Sequence, residues 1–244
     1  MNRQSNVYTF IYALVLVLVV GVALSLVYQA LRPKQVENIA NDTRRQILAA
    51  ALITPQKGQS ISELWDAHIT ESFIVNSNGD RVDDGQKAEE VKVMQEVKKP
   101  EAERLLPVFV CLTDPSKKDA SDTKYILPVY GAGLWGPIWG YLAINSDGTT
   151  VYGAYFAHQG ETPGLGAEIE KPAFQKQFEG KSLYADGQFT SIQVVKPGKE
   201  PADRDCVHAI SGGTITSSGV QTMLENSLAP YNAFLMKLQQ TDKQ

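Results

Sequence analysis

The sequence predicts an α+β fold: a single N-terminal transmembrane helix followed by a mostly antiparallel-sheet domain with flanking helices. Three observations carry this. No charged residue occurs between Arg3 and Arg32. Runs rich in Val, Ile, Tyr and Phe, separated by Gly, Pro, Asn and Asp, fill the chain from Val108 to Val195. Apolar residues at helical spacing recur just after the uncharged segment and again at the C-terminal end.

The uncharged segment comes first. From Phe10 to Tyr28 it is almost purely Val, Leu, Ala and Ile. About 20 such residues, rising about 1.5 Å each, span a hydrocarbon core of about 30 Å. Tyr8, Tyr12 and Tyr28 lie toward its two ends, where amphipathic rings favour the interface. A transmembrane helix is expected over 7–31, after a short tail at 1–6. The competing reading is a signal peptide cleaved near Ala23-Leu24-Ser25. The run is longer than the usual h-region of about 7–15 residues, and Arg3 is the only early positive side chain, which favours an uncleaved anchor. No Cys lies near it, which excludes a lipid-anchored lipoprotein. Arg32, Lys34, Arg44 and Arg45 follow the helix. Charge alone would therefore leave the rest of the chain in the cytoplasm, although long domains obey that rule poorly.

Residues 32–104 form a juxtamembrane helical and charged region. Val36, Ile39, Ile47, Leu48 and Leu52 predict a helix over 35–53, bracketed by Pro33 and Pro55. Residues 61–71 read as another short helix. Phe73-Ile74-Val75, Asn78-Gly79 and Arg81-Val82 predict a tight hairpin with a type I′ turn. The charged stretch 83–104, with Glu89, Glu90, Lys92, Glu96, Lys98 and Lys99, reads as exposed and solvated. From 105 to 244 a second domain follows. Strands are expected at Val108–Leu112, Tyr125–Val129, Trp139–Asn145, Val151–Ala157 and Ile192–Val195, with a polar loop over Lys117–Asp122. A short helix at 171–179 has Pro172 in its first turn, where the missing N–H costs nothing. Ser218 to Gln240 is helical in spacing and interrupted at Pro230, with Ser217 or Ser218 as N-cap.

Composition narrows the function. Hydrophobic residues at 43% and charged residues at 20% exclude disorder over most of the length. A net charge of −4 gives no reason to expect nucleic acid, which wants a concentrated basic face. The two cysteines, Cys111 and Cys206, form no CxxC pair and no Cys/His cluster, so no zinc or iron–sulfur site is expected within this chain. A disulfide between them is left open. His68, His158 and His208 are scattered and read as surface or hydrogen-bonded residues. No Rossmann glycine fingerprint occurs, so no NADH site is expected.

Three loops could build one site. Gly131-Ala132-Gly133-Leu134-Trp135-Gly136-Pro137 has glycines that admit a ligand closely and an indole that can stack on a planar ring. His158 to Gly166 combines Gly, Pro and Thr in a rigid loop with exposed amide donors. Ser211 to Val220 surrounds Thr214 with small residues just before a helix start, where unpaired N–H groups favour a phosphate. Taken alone, the first reads more readily as an ordinary turn and the second as a surface loop, while the third is equally well an N-capping Ser/Thr cluster.

Together they resemble a known family. Ser211-Gly212-Gly213-Thr214-Ile215-Thr216-Ser217 resembles the flavinylation motif, in which a threonine hydroxyl carries FMN through a phosphoester. The entry from Asn2 to Tyr12, the anchor, Gly133-Leu134-Trp135 and Glu161-Thr162-Pro163-Gly164-Leu165-Gly166 extend the likeness over nearly the whole chain. The pattern is similar to the C subunits of the sodium-translocating NADH:quinone oxidoreductases, whose FMN-binding domain also occurs in the G subunit of the Rnf complex. One departure is Gly213, where the family usually has Ala. The resemblance implies covalent FMN on Thr214, attached by a separate flavin transferase. Ser211, Gly212, Gly213, Ile215 and Thr216 would shape the attachment loop. Gly133, Leu134 and Trp135, with Glu161, Thr162, Leu165 and Gly166, would line the flavin. No metal ligand and no catalytic residue is implied. The implied role is electron relay from an iron–sulfur centre in neighbouring membrane subunits to the FMN of the B subunit. The B, D and E subunits and membrane lipid would be its partners. The flavin domain would lie in the periplasm, on a single-pass anchor in the inner membrane. The alternatives are the Rnf G subunit and a membrane-anchored binding module without redox activity.

Overall fold

The computed structural model describes residues 6–83, 85–117 and 120–241. Residues 1–5 of the expected tail, with Arg3, and part of the loop Lys117–Asp122 lie outside the described residues. The chain divides into two units, Met1–Thr43 and Arg44–Gln244.

The described part of the first unit is a single helix that runs on into the second: α1, Asn6–Ala50. Its most apolar 18-residue window has a mean hydropathy of 2.9 and is long and apolar enough to cross a membrane. Pro33 lies inside α1, so the two helices expected on either side of it are one. A proline removes one ladder bond and costs about 3 kcal/mol. Here strong helix formers flank it, Ala30-Leu31-Arg32 before and Lys34-Gln35 after, and the ladder resumes.

The second unit is a six-stranded antiparallel sheet with a hydrophobic cluster on each face. The strands are β1 (Ile69–Val75), β2 (Arg81–Val82), β3 (Leu106–Leu112), β4 (Thr123–Ala132), β5 (Pro137–Asn145) and β6 (Val151–His158), in the order β2-β1-β3-β4-β5-β6. Alternation divides the side chains. Val108, Leu127, Val129, Leu142 and Phe156 face one cluster, and Phe109, Cys111, Ile126 and Ala143 face the other. The second cluster is closed by Ile47, Leu48, Ala50 and Ala51 from the end of α1 and by Leu64 and Trp65 of α2 (Ile61–His68). Around the first cluster lie the helices α3 (Val93–Glu96), α4 (Pro172–Gln175), α5 (Thr214–Leu228) and α6 (Asn232–Thr241), with α5 packed along β4. Phe156, Phe174 and Phe178 pack there with tilted and edge-to-face rings, centroids 5.0–6.0 Å apart.

One irregularity fixes α5. The β3–β4 ladder ends at Phe109↔Ile126. Continued two residues, the same register would set Pro107 opposite Pro128, and neither has an N–H to give. Helical groups fill the gap. The Tyr130 N–H donates to Ser227 Oγ at 3.1 Å, that hydroxyl donates to the Tyr130 carbonyl at 3.3 Å, and the Tyr231 hydroxyl donates to the Pro107 carbonyl at 2.8 Å.

Several expectations are corrected. The turn between β1 and β2 is not type I′: Gly79 has φ +71°, but Asn78 does not share the positive φ that the turn requires. Asn76 Oδ1 instead accepts from the amides of Asn78 and Asp80, both at 3.0 Å, in a longer loop. The stretch 83–104 is not simply solvated. Ala88 and Val91 are in the core, and buried Glu96 accepts from the Leu105 amide at 3.0 Å and from Lys99 at 2.8 Å. Two pairings escaped the pattern: the hairpin β7 (Tyr184–Ala185) with β8 (Gln188–Phe189), and parallel β9 (Gln193–Val195) with β10 (Cys206–His208). Each strand is too short to show an alternation. Cys111 and Cys206 are both free thiols.

Candidate functional site

The sheet brings two of the three loops to one end. The β4–β5 register closes at Ala132↔Pro137, and β6 ends at His158, paired with Ile138. The loops 133–136 and 159–166 therefore leave adjacent strands on the same side. The third loop enters α5, which Ser227 holds on β4. Gly219 of α5 sits so close to β4 that an added Cβ would lie 2.3 Å from the Ala132 carbonyl oxygen.

Between the loops lies a cavity of about 360 Å³. Leu134 and Trp135 contribute from the first loop, and Glu161, Thr162, Leu165 and Gly166 from the second. Gly212, Gly213, Thr214, Ile215 and Thr216 complete its wall. Gly133 stands behind that wall, against Glu161, and Ser211 is exposed in the turn before it. Leu134, Trp135, Leu165 and Ile215 form an exposed apolar rim, with Trp135 68% accessible. A wider groove of about 770 Å³ runs along α5 past Ser218, Thr222 and Arg104, and shares Ile215 with the cavity.

Glu161 joins the walls. Its Oε1 accepts the Trp135 N–H at 2.8 Å, and its Oε2 accepts the Thr216 hydroxyl at 2.5 Å. Its own N–H donates to His158 Nδ1 at 3.1 Å. A neutral His158 then carries its proton on Nε2, 3.7 Å from Glu170 Oε1. His158 is thus hydrogen-bonded at the root of the second loop, a role without any local sequence signal.

The third loop ends differently from expectation. Gly213, not Ser217 or Ser218, is the N-cap of α5, so Thr214 is the first helical residue. Ser217 lies within the first turn: its N–H donates to the Gly213 carbonyl at 2.9 Å, and its hydroxyl accepts the Ile210 N–H at 3.0 Å. A serine that reaches back from the first turn resembles a cap in sequence, which explains the shift. The amides of Thr214, Ile215 and Thr216 precede the first intrahelical bond and lack an i−4 carbonyl within the helix. Gly212 has φ +74°, a conformation that L side chains rarely adopt, and turns the chain into the helix. Gly213 does not need to be glycine for its φ of −103°. An added Cβ would meet Ile210 at 3.1 Å, a tight but adjustable contact.

The arrangement offers an apolar rim with an indole, a row of free amides at a helix N-terminus, and an exposed hydroxyl on Thr214. It suits a planar ring with an anionic tail. Among the described residues, no group of three or more His, Cys, Asp or Glu is placed to hold a metal ion.

Comparison with known proteins agrees with this geometry. The family model of the FMN-binding domain matches residues 133–229, which include all three loops. The C subunit of the Na(+)-translocating NADH-quinone reductase of Pseudomonas aeruginosa is 32% identical, over 97% of this chain and 97% of that protein. Its counterpart in Vibrio anguillarum is 34% identical, over 90% of this chain and 89% of its own. The crystal structure of the corresponding C subunit from Parabacteroides distasonis superposes with a TM-score of 0.76 and 46% identity, covering 84% of this chain and 96% of that one. With its loops, its sheet and nearly its whole length matched, the chain belongs to the family of Na(+)-translocating NADH-quinone reductase C subunits.

Proposed function

We propose that this chain is the FMN-bearing electron carrier of a sodium-translocating NADH:quinone oxidoreductase, with the flavin joined through a phosphoester to Thr214. In that role it stands between an iron–sulfur centre held by neighbouring membrane subunits and the FMN of the B subunit, with the D and E subunits among its partners. The helix α1 anchors it in the inner membrane, and the flavin domain lies in the periplasm.

The carrying observation is Thr214 itself. It is exposed, it is the first residue of a 15-residue helix, and it stands in the wall of a cavity whose volume suits a small-molecule ligand. The residues present fit the group. A phosphate on Thr214 would meet the free amides and the positive end of α5. Trp135, Leu134, Leu165 and Ile215 supply apolar contact for a planar ring. Gly212 and Gly213 keep the approach to Thr214 clear of side chains. A flavin transferase would form the phosphoester as the pyrophosphate bond of FAD breaks, with AMP leaving and the hydroxyl proton lost. When bound, FMN supplies reversible electron transfer. The chain's own residues orient it and keep water from its buried side, and the tether keeps it at high effective concentration.

The test is the full chain matured with its transferase. Denaturing electrophoresis should show a fluorescent band, and a peptide map should place the added FMN at Thr214. A non-fluorescent, unmodified chain would reject the reading.

A further inference from the structure

The carboxylate of Glu161 touches all three loops of the site. It belongs to the second, accepts the Trp135 N–H of the first at 2.8 Å, and accepts the Thr216 hydroxyl from the first turn of α5 at 2.5 Å. Both partners are donors, and both oxygens are spent in accepting. Glu161 is 5% exposed and Thr216 2%. A buried charge is tolerated where hydrogen bonds satisfy it, and a negative one is favoured beside a helix N-terminus. The surroundings are shaped to this carboxylate. A Cβ on Gly133 would lie 2.5 Å from Oε1, and one on Gly166 would lie 2.3 Å from Oε2 and 2.4 Å from Thr216 Oγ1.

We propose, on the reading that Thr214 bears the flavin, that Glu161 is a positioning residue rather than a ligand of the ring. It acts through Trp135 and Thr216. Its clasp fixes the indole-bearing loop against the first turn of α5, so that the Thr214 hydroxyl, two residues before Thr216, is presented in one orientation. Its second effect is electrostatic. A fixed negative charge close to the cavity opposes the arrival of electrons there, and so holds the potential of an attached flavin below the value it would have beside a neutral residue.

Two substitutions separate shape from charge. In Glu161→Gln the amide oxygen can still accept from Trp135, and the amide nitrogen can donate to Thr216 Oγ1 once that hydroxyl reverses. Glu161→Ala removes both contacts. A third variant, Thr216→Val, removes one donor and leaves the Trp135 bond.

Hydrogen exchange at the Trp135 amide is measured first, on the full chain made without the transferase. Flavin content and midpoint potential are then measured after maturation. Glu161→Ala should speed exchange at Trp135 by about tenfold or more and lower covalent flavin. Glu161→Gln should restore the protection, take up more flavin than Glu161→Ala, and shift the potential upward. Thr216→Val should fall between wild type and Glu161→Ala in flavin content. Unchanged Trp135 exchange in Glu161→Ala, or flavin content equal to wild type, would overturn the clasp. An unshifted potential in Glu161→Gln would overturn the electrostatic part. If the wild-type chain takes no flavin at Thr214, the proposed function fails, while the exchange measurement still decides the clasp.

Discussion

Gly166 lies against the carboxylate of Glu161 so closely that an added methyl carbon would sit 2.3 Å from Oε2. That oxygen already accepts the Thr216 hydroxyl, and the same methyl would be 2.4 Å from Thr216 Oγ1. The glycine is therefore a packing requirement of a polar contact, and the contact spans 55 positions of sequence.

Gly166→Ala should accordingly destabilise the domain by about 1–3 kcal/mol, the usual cost of overpacking. Thermal unfolding should show a loss of several degrees. Gly160→Ala, in the same loop, is the control. Nothing lies within 4 Å of its added carbon, and its melting temperature should stay close to wild type.

Thr214→Ala should abolish covalent flavin and leave the fold intact. Thr214 is exposed, and the hydrogen bonds that set the first turn of α5 belong to Ser217, Gly213 and Ile210. A fluorescent gel band lost from the variant, with an unchanged far-UV circular dichroism spectrum and melting curve, is the expected pair of results.

The parts of this site legible in sequence were those made by backbone requirements. Gly212 announces itself because the turn into α5, with its positive φ, restricts residue type locally. The strands β3 to β6 are legible as runs of β-branched and aromatic residues bounded by turn residues; with both faces covered, burial does not alternate strictly along them. What escaped depends on partners distant in the chain. No local pattern tells that Glu161 meets Thr216, or that His158 accepts from the Glu161 amide. The paired prolines Pro107 and Pro128 look like two unrelated residues until the register aligns them. Pro33 misled in the opposite direction, since a local break signal was outweighed by the helix formers around it. The charged run 83–104 concealed the buried Ala88, Val91 and Glu96 because composition counts heads and not the faces they leave dry.

Stability should fall at alkaline pH in a way that Cys111 controls. Burial pushes the Cys111 thiol from an ordinary value of 9.0 up to about 12, with Lys124 opposing the shift slightly. The folded state thus keeps its proton where the unfolded state has lost it. The stability this protects is fully present below about pH 9 and is lost as the pH rises toward 12, by up to about 1.4 kcal/mol per pH unit. Burial raises the Tyr231 phenol in the same direction, starting from 10.0. Urea unfolding of wild type and Cys111→Ala at pH 8, 9.5 and 10.5 (values chosen to bracket the transition at about pH 9) checks this. The variant should start less stable, by the cost of a small cavity, and should lose less stability between the first two points.

The end of α1 should be part of the folding unit and not merely its leader. Ile47, Leu48 and Ala50 are fully buried, and they close one face of the sheet against Trp65, Phe109 and Ile126. Trp139 Nε1 donates to Gln46 at 3.0 Å, and Arg44 donates to Ser62 Oγ at 3.2 Å while its guanidinium lies over the Trp65 ring. A chain that begins at Arg44 omits the exposed apolar surface of the anchor and keeps every one of these contacts. It should express without detergent and unfold cooperatively. A chain that begins at Leu52 loses two large aliphatic side chains from the core, each worth about 2–5 kcal/mol when deleted. Domains of this kind hold only about 5–15 kcal/mol in total. The shorter chain should therefore aggregate or show a sharply lowered urea midpoint. Equal midpoints for the two chains would mean that the residues from Arg44 to Ala51 cover the sheet without stabilising it.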